Sequence, residues 1–595
     1  MIIETINGPQ NLKNLSINDL NILSSEIRET LIKKMSKCGG HMASNLGVVE
    51  ITLALHTVFN SPIDKIIFDV SHQSYVHKIL TGRKDAFLYE EKYDDVSGYS
   101  NPEESVHDFF NIGHTSTSIS LACGMAKARD LKGEKENIIA VIGDASLDGG
   151  ESFEALNYAV ELGTGLIVVV NDNDMSIPEN HGALNRLLNE LRDNNGVVEN
   201  NYFKSLGFEY ILVRDGHDLD ALIGAFEKVK GTNHPVVVHC CTQKGKGYIF
   251  AEKDREKWHW ARPFLIETGE YYGGVPAENY GAIVAQFLLE KINNDSDVVV
   301  VTASTPLCIG FNAENRKKAG KQFIDVGIAE QNALSMTAAI ARRGGKPVFA
   351  TNSTFYQRAY DQIEQEMCIS KCPATMIVTH ASVYGHTNDT HAGLYDMTLM
   401  ANIPNLIYLA PANKEEYLAM LDWSIDQTLA PVAIRVPWTG VHHVQREIPK
   451  DYSITKYDTV VKGSKVAIIA LGGFFQLGEN VVKKLYKETG VSATLINPRF
   501  ITGIDKSTLD GLKSEHILVV TLEDGIINGG FGSKIAQYYA ADDMKVLNKG
   551  FSMNIPNRYV PSEWMSENRL HTDQIVEDIK NILCKKYRGN YLNNS

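Results

Sequence analysis

Short apolar runs without polar alternation recur along this chain, and they limit its fold more than any other feature. They fall at 138–142 (IIAVI), 166–170 (LIVVV), 236–239 (VVVH), 298–301 (VVVV), 376–378 (MIV), 406–409 (LIYL), 466–470 (VAIIA) and 517–520 (ILVV). Strands that are apolar on both faces belong in sheets covered on both sides, and such sheets are mainly parallel because helical crossovers supply the cover. The spacing leaves room for helices between runs, so the sequence predicts repeated βα units and an α/β fold.

At 595 residues the chain is too long for one core. Two polar, Gly-containing stretches mark the breaks: 267–278 (ETGEYYGGVPAE), and 438–441 (WTGV) with the polar segment after it. They divide the chain into three expected α/β blocks, 1–272, 273–445 and 446–595.

The composition, 44% hydrophobic and 22% charged, is that of an ordinary globular protein. A net charge of −14 argues against nucleic acid or an anionic membrane as the main partner. Residues 1–30 show no signal-peptide pattern, and no long apolar stretch occurs, so no membrane contact is expected. The eight cysteines are scattered, and although Cys368 and Cys372 are close, no second pair completes a zinc site. Reduced thiols and a cytoplasmic location are the expectation.

The chemistry concentrates where two of the apolar runs end. The first runs into Gly143-Asp144-Ala145-Ser146, the second into Asn171-Asp172-Asn173-Asp174-Met175. Open α/β sheets bind ligands beyond the carboxyl ends of their strands. Gly143 permits a tight turn, and the helix start after it offers N–H groups to a phosphate. Asp144 and Asn173 supply hard oxygens suited to Mg²⁺ bridging a diphosphate. Asp and Asn also serve as plain turn and cap residues after strands. Together the clusters match the thiamine diphosphate (ThDP) motif written GDG…NDN, with Ala145 in place of its second Gly.

Longer segments carry a resemblance. TINGPQNLKNLSINDL (5–20), GGHMASNLGVVE (39–50), IIFDVSHQSYVHKILTGRKD (66–85), GHTSTSIS (113–120), TQKGKGY (242–248), DVGIAEQ (325–331), STFYQRAYDQ (353–362) and GGFGS (529–533) follow one another along nearly the whole chain. In this order they closely resemble the 1-deoxy-D-xylulose-5-phosphate synthase family of the transketolase superfamily. The resemblance implies a pyrophosphate-binding domain (1–272), a pyrimidine-binding domain (273–445) and a transketolase-type carboxyl-terminal domain (446–595). It also implies a homodimer that binds ThDP and Mg²⁺ between the first two domains.

Carried over motif by motif, Asp144, Asn173 and the Met175 carbonyl would hold Mg²⁺. His72, Gly113, His114, Thr115, Gly143, Ala145 and Ser146 would line the ThDP site, with Lys244 and Tyr248. Phe355 would stack on the aminopyrimidine, and Glu330 would hydrogen-bond its N1′. Imidazoles suit proton transfer near neutral pH. The resemblance puts His72 and His114 near the cofactor and His41 and His391 near donor and acceptor, while Arg358 is kept. Outside these motifs, each such Glu or His is more commonly a solvated or structural residue.

In the family, a Tyr before STF and two Arg grip the acceptor's phosphate. Here Asn352, His380 and Trp438 stand at those places, Thr387 replaces an Asp, and Asn332 replaces the His of AEQH. The segment between NDNDMSIPENHG and LGFEYI is also shorter than the family's. Two activities follow. One is the synthase reaction, joining pyruvate to glyceraldehyde 3-phosphate for isoprenoid and cofactor precursors. The other is a paralogous carboligase or transketolase, with a 2-keto acid or ketose donor and a different aldehyde acceptor, which need not be phosphorylated. A silent binding subunit would lose Glu330 or the metal ligands, and a dehydrogenase would carry G-x-G-x-x-G after an early strand. Neither condition is met.

Overall fold

Every one of the eight apolar runs is a strand. In the computed structural model, all residues are described except 275–277, 384–388, 438–439 and 593–595, together with the side chains of 585–592. The chain divides into two compact units, Met1–Val275 with Val326–Ala329, and Pro276–Asp325 with Glu330–Ser595.

The first unit holds one sheet of β1 (Lys65–Phe68), β2 (Ile138–Gly143), β3 (Leu166–Asp172), β4 (Glu209–Val213) and β5 (Pro235–Cys241). The order is β1-β2-β3-β5-β4, with every pairing parallel. All seven residues of β3 are buried, as a central strand with helices on both faces requires. Gly143 lies opposite Asn171, and Asp172 opposite Cys241, so the polar residues that end β2, β3 and β5 share one edge.

The second unit carries two sheets. One is formed by β6 (Val298–Thr302), β7 (Phe323–Asp325), β8 (Lys346–Asn352), β9 (Thr375–Thr379), β10 (Ile407–Leu409) and β11 (Val432–Arg435). Its order is β10-β11-β9-β8-β6-β7, again wholly parallel. The other contains β12 (Asp458–Val461), β13 (Lys465–Ala470), β14 (Thr494–Asn497), β15 (His516–Ile526) and β16 (Lys545–Phe551), in the order β12-β14-β13-β15-β16. Only its edge strand β12 runs antiparallel. One sheet thus falls in each of 1–272, 273–445 and 446–595. No helix of the described residues is long and apolar enough to cross a membrane.

Ionic groups tie the two sheets of the second unit together. Glu416, fully buried on the helix Lys414–Asp426, accepts hydrogen bonds from Arg499 Nε (2.9 Å), Asn497 Nδ2 (2.9 Å) and Ala412 N (3.0 Å). A carboxylate removed from water is tolerated only when so fully satisfied, and removing it strands its partners. We expect Glu416→Ala to cost about 3–5 kcal/mol in chemical denaturation, and Glu416→Gln clearly less. Equal stability of Glu416→Ala and the unaltered chain would show that the tie contributes nothing.

Candidate active site

The turn after β2 places Asp144 where its carboxylate is almost wholly buried, 4% exposed. Oδ1 accepts the Ala145 N–H (3.0 Å), and Oδ2 accepts Asn180 Nδ2 (2.9 Å) with the longer N–H contacts of Asn173 and Met175 (both 3.3 Å). Burial, and then the charge of Asp172, pushes the Asp144 carboxyl well above the ordinary aspartate range. Beside it, Asn173 Oδ1 and Asn180 Oδ1 are buried without a hydrogen-bond partner among the described residues. An anion and two orphan amide oxygens are a hard-oxygen set whose missing element is a cation, and such a set suits Mg²⁺. The Cβ that Gly143 lacks would meet nothing within 4 Å, so the end of β2 is open at that position.

Lys244, from the loop after β5, is also buried and donates its ammonium to the Ser176 carbonyl. Burial lowers its pKa to about 7, with Asp144 opposing the shift.

The loop bearing Gly113, His114 and Thr115 is fixed by a carboxylate at the end of β1. Asp69 is fully buried and accepts the N–H groups of Ser116 (2.8 Å) and Ser118 (3.0 Å). Ser116 in turn donates its hydroxyl to the Ser146 carbonyl (2.8 Å), bringing the 113–117 loop against the Ala145-Ser146 turn. The chain after Asp69 is strained: Val70 and Ser71 sit at φ +59° and +63°. A β-branched residue there costs on the order of 1–3 kcal/mol, and such strain collects at functional sites.

Three histidine rings gather nearby. His41 and His72 lie 5.0 Å apart, His72 and His259 5.3 Å, and His41 and His259 5.6 Å between ring centroids. Asn45 sets the first two, donating its amide to the carbonyls of His41 (2.7 Å) and His72 (2.8 Å). The Ser44 hydroxyl lies 3.1 Å from His72 Nε2. Burial, reinforced by the neighbouring positive groups, holds His41 and His259 well below the usual imidazole range, so both are neutral near pH 7.

The second unit holds the remaining expected residues. Glu330 opens the helix Glu330–Arg342 and is 4% exposed; burial raises its carboxyl, with Arg358 opposing, and Oε2 has no hydrogen-bond partner among the described residues. Phe355 meets His391 edge-on at 5.9 Å, and His391 Nδ1 lies 2.9 Å from the Thr390 hydroxyl. Asn352 Oδ1 accepts the Thr379 hydroxyl (3.0 Å), which also lies 3.2 Å from His380 Nδ1. Burial lowers the His380 pKa to about 4, so near neutrality it carries no charge. Trp438 and Thr387 lie outside the described residues.

Most of the sequence-predicted residues of the first unit are therefore brought together, in an oxygen cluster and a histidine cluster. Tyr248 stands apart. It packs into an aromatic core at 5.1 Å from Trp258 and 5.6 Å from Phe264, and its hydroxyl is engaged by the Ile266 carbonyl (3.0 Å). Sequence reasoning missed His259, Asn180 and Asp69. Asp69 stood in a quoted motif, whereas His259 lies between Trp258 and Trp260 with no spacing signal of its own.

A sequence model described as 1-deoxy-D-xylulose-5-phosphate synthase matches residues 3–198 and 193–242. The transketolase pyrimidine-binding domain matches 278–440, and the transketolase carboxyl-terminal domain 455–563. The 1-deoxy-D-xylulose-5-phosphate synthase of Clostridium beijerinckii is 41% identical over 94% of this chain and 95% of its own. The chain belongs to the 1-deoxy-D-xylulose-5-phosphate synthase family. It is accordingly a transferase of the transketolase type. A second family member, the synthase of Caldanaerobacter subterraneus subsp. tengcongensis, is 40% identical over 94% of this chain and 95% of its own. Among solved structures, the transketolase of Campylobacter jejuni is 16% identical, covers 95% of this chain and 98% of that one, and has a TM-score of 0.43.

His380 gives a pH prediction. Folded, it takes a proton only near pH 4; unfolded, near 6.5. Between these values the unfolded state binds more protons, so stability falls as pH drops through the window. His380→Gln has no such proton to bind. Between about pH 7 and about pH 4.5 the unaltered chain should lose about 2 kcal/mol more than this variant in denaturant titrations. Parallel losses would contradict the neutral His380.

Proposed function

We propose that the chain is a ThDP- and Mg²⁺-dependent carboligase that decarboxylates pyruvate and joins the two-carbon unit to an aldehyde such as glyceraldehyde 3-phosphate. The observation that carries this reading is the buried, incompletely satisfied oxygen set of Asp144 and Asn173 at adjacent strand ends, in a chain of this family. Asp144, Asn173 and the Met175 carbonyl would hold the metal. The loop 113–115 and the turn 145–146 would present N–H and hydroxyl groups to the diphosphate. When bound, ThDP supplies a nucleophilic carbon and an electron sink for the two-carbon unit.

The chain's own residues supply proton control. Glu330, raised by burial, can hold a proton at Oε2 and share it with a ring nitrogen. His41 and His259, neutral at working pH, can accept a proton from a substrate hydroxyl or donate a hydrogen bond to a carboxylate. The working form is a homodimer, which sedimentation would read directly.

A second reading concerns the acceptor. Asn352 is engaged by Thr379, and His380 is uncharged near pH 7, so neither offers a phosphate the cation that such binding needs. This favours an unphosphorylated aldehyde.

With ThDP, Mg²⁺ and pyruvate, CO₂ release should accelerate when a suitable aldehyde is added. Glu330→Gln should slow it by at least about 100-fold. Full activity in Glu330→Gln would overturn the assignment. Among acceptors, a phosphorylated aldehyde outperforming its unphosphorylated counterpart would reject the second reading. On that reading, His380→Arg should shift preference toward the phosphorylated one.

A further inference from the structure

Asp172, whose charge helps raise Asp144, is itself held by a network of its own. It is fully buried at the end of β3, directly before Asn173. Three elements converge on it. Arg192 donates Nη2 to Oδ1 (2.6 Å) and lies with Nε 3.3 Å from Oδ2. His239, on β5, places Nε2 2.8 Å from Oδ2, and its Nδ1 lies 2.8 Å from the Tyr210 hydroxyl on β4. The Asp174 N–H makes a longer contact to Oδ1 (3.3 Å).

Arg192 comes from the last turn of the helix Gly182–Asp193, which buries only Leu188 and Leu191. The ion pair therefore closes residues 173–191 into a loop whose two ends meet at one buried carboxylate. Inside that loop lie three of the four residues that donate to Asp144: Asn173 and Met175 through N–H groups, and Asn180 through its side-chain amide. The Ser176 carbonyl, which takes the Lys244 ammonium, belongs to it as well. Leu188 and Leu191 are buried and Leu184 and Leu187 pack half-buried against the core, so a leucine stripe seats the helix while the ion pair fixes its last turn. A two-bond guanidinium–carboxylate contact is both strong and directional.

We propose that Arg192 is a positioning residue for the metal site: by latching the helix Gly182–Asp193 to Asp172, it holds Asn173, Met175 and Asn180 around Asp144. The proposal rests on the reading of that cluster as a Mg²⁺–diphosphate site. Arg192 touches neither metal nor substrate. It acts through the loop, as partners of metal ligands do, and their loss commonly costs 10–100-fold in metal affinity.

Two readouts on the full chain test it, with Arg192→Ala, Arg192→Lys and, as control, Arg186→Ala, an exposed arginine on the same helix. The first is the rate of chymotrypsin cleavage within 176–201 of the cofactor-free protein. The second is the Mg²⁺ concentration for half-maximal ThDP uptake, followed by tryptophan fluorescence. Arg192→Ala should be cut about tenfold faster and need about tenfold more Mg²⁺. Arg192→Lys, which keeps the charge but not the fork, should fall between, and Arg186→Ala should match the unaltered chain. Unaltered behaviour of Arg192→Ala in both readouts would overturn the latch. Absence of Mg²⁺-dependent ThDP uptake by the unaltered chain would instead overturn the cofactor reading, and is separable because it needs no variant. Should Arg192→Ala fail to fold by circular dichroism, Arg192→Lys decides by the same two readouts.

Discussion

The Asp144 carboxylate is held out of water with hydrogen-bond donors but without full charge compensation, and much of the first unit is arranged around that fact. A buried anion normally protonates or recruits a cation. Here it is surrounded by amide oxygens of Asn173 and Asn180 that also lack partners, so the protein maintains a concentration of hard-oxygen donors that apolar packing alone would not tolerate. Such a cluster is retained only when the surrounding framework over-determines it.

That framework is the carboxyl edge of a parallel sheet. Parallel register aligns the ends of β1, β2, β3 and β5, and each delivers a polar group just beyond its last apolar residue: Asp69, Asp144, Asp172 with Asn173, and the Thr242–Lys244 segment. Asp69 fixes the loop that carries His114, and Asn45 fixes the carbonyls of His41 and His72. Each of these anchors is a single side chain bonded to backbone of a distant segment. The positive φ at Val70 and Ser71 shows that the chain bends against its own preference to make the arrangement.

The parts legible in the sequence were those with a local cause. Continuous apolar runs are required wherever a strand is covered on both faces, and each one proved to be a strand. The edge strands β4, β7, β12 and β16 were not legible, because a strand open on one side mixes exposed and buried positions, as in the half-buried Glu209–Leu212. The strands β1, β11 and β14, four residues each, give too few positions for a pattern, and the interior strand β8 was not legible because Lys346, Pro347, Thr351 and Asn352 interrupt its apolar residues. In the site, Asp144 and Asn173 announced themselves through turn and strand context. His259 could not, because its meaning comes from two rings more than 180 residues away in sequence. The same holds for Arg192, whose partner lies 20 positions earlier and whose own segment carries no motif.

On the proposed reading, the divergence at Asn352 and His380 concerns the acceptor and leaves the oxygen cluster untouched, so cofactor binding and acceptor choice would be separable properties of this chain. Cofactor binding is the more basic, and it is directly measurable. Calorimetric titration of the purified chain with ThDP, with and without Mg²⁺, should show uptake that requires the metal. Asn173→Ala should weaken it by at least about tenfold, by removing an oxygen from the metal's set. Uptake independent of Mg²⁺, or unchanged in Asn173→Ala, would contradict the assignment of these residues to a metal–diphosphate site.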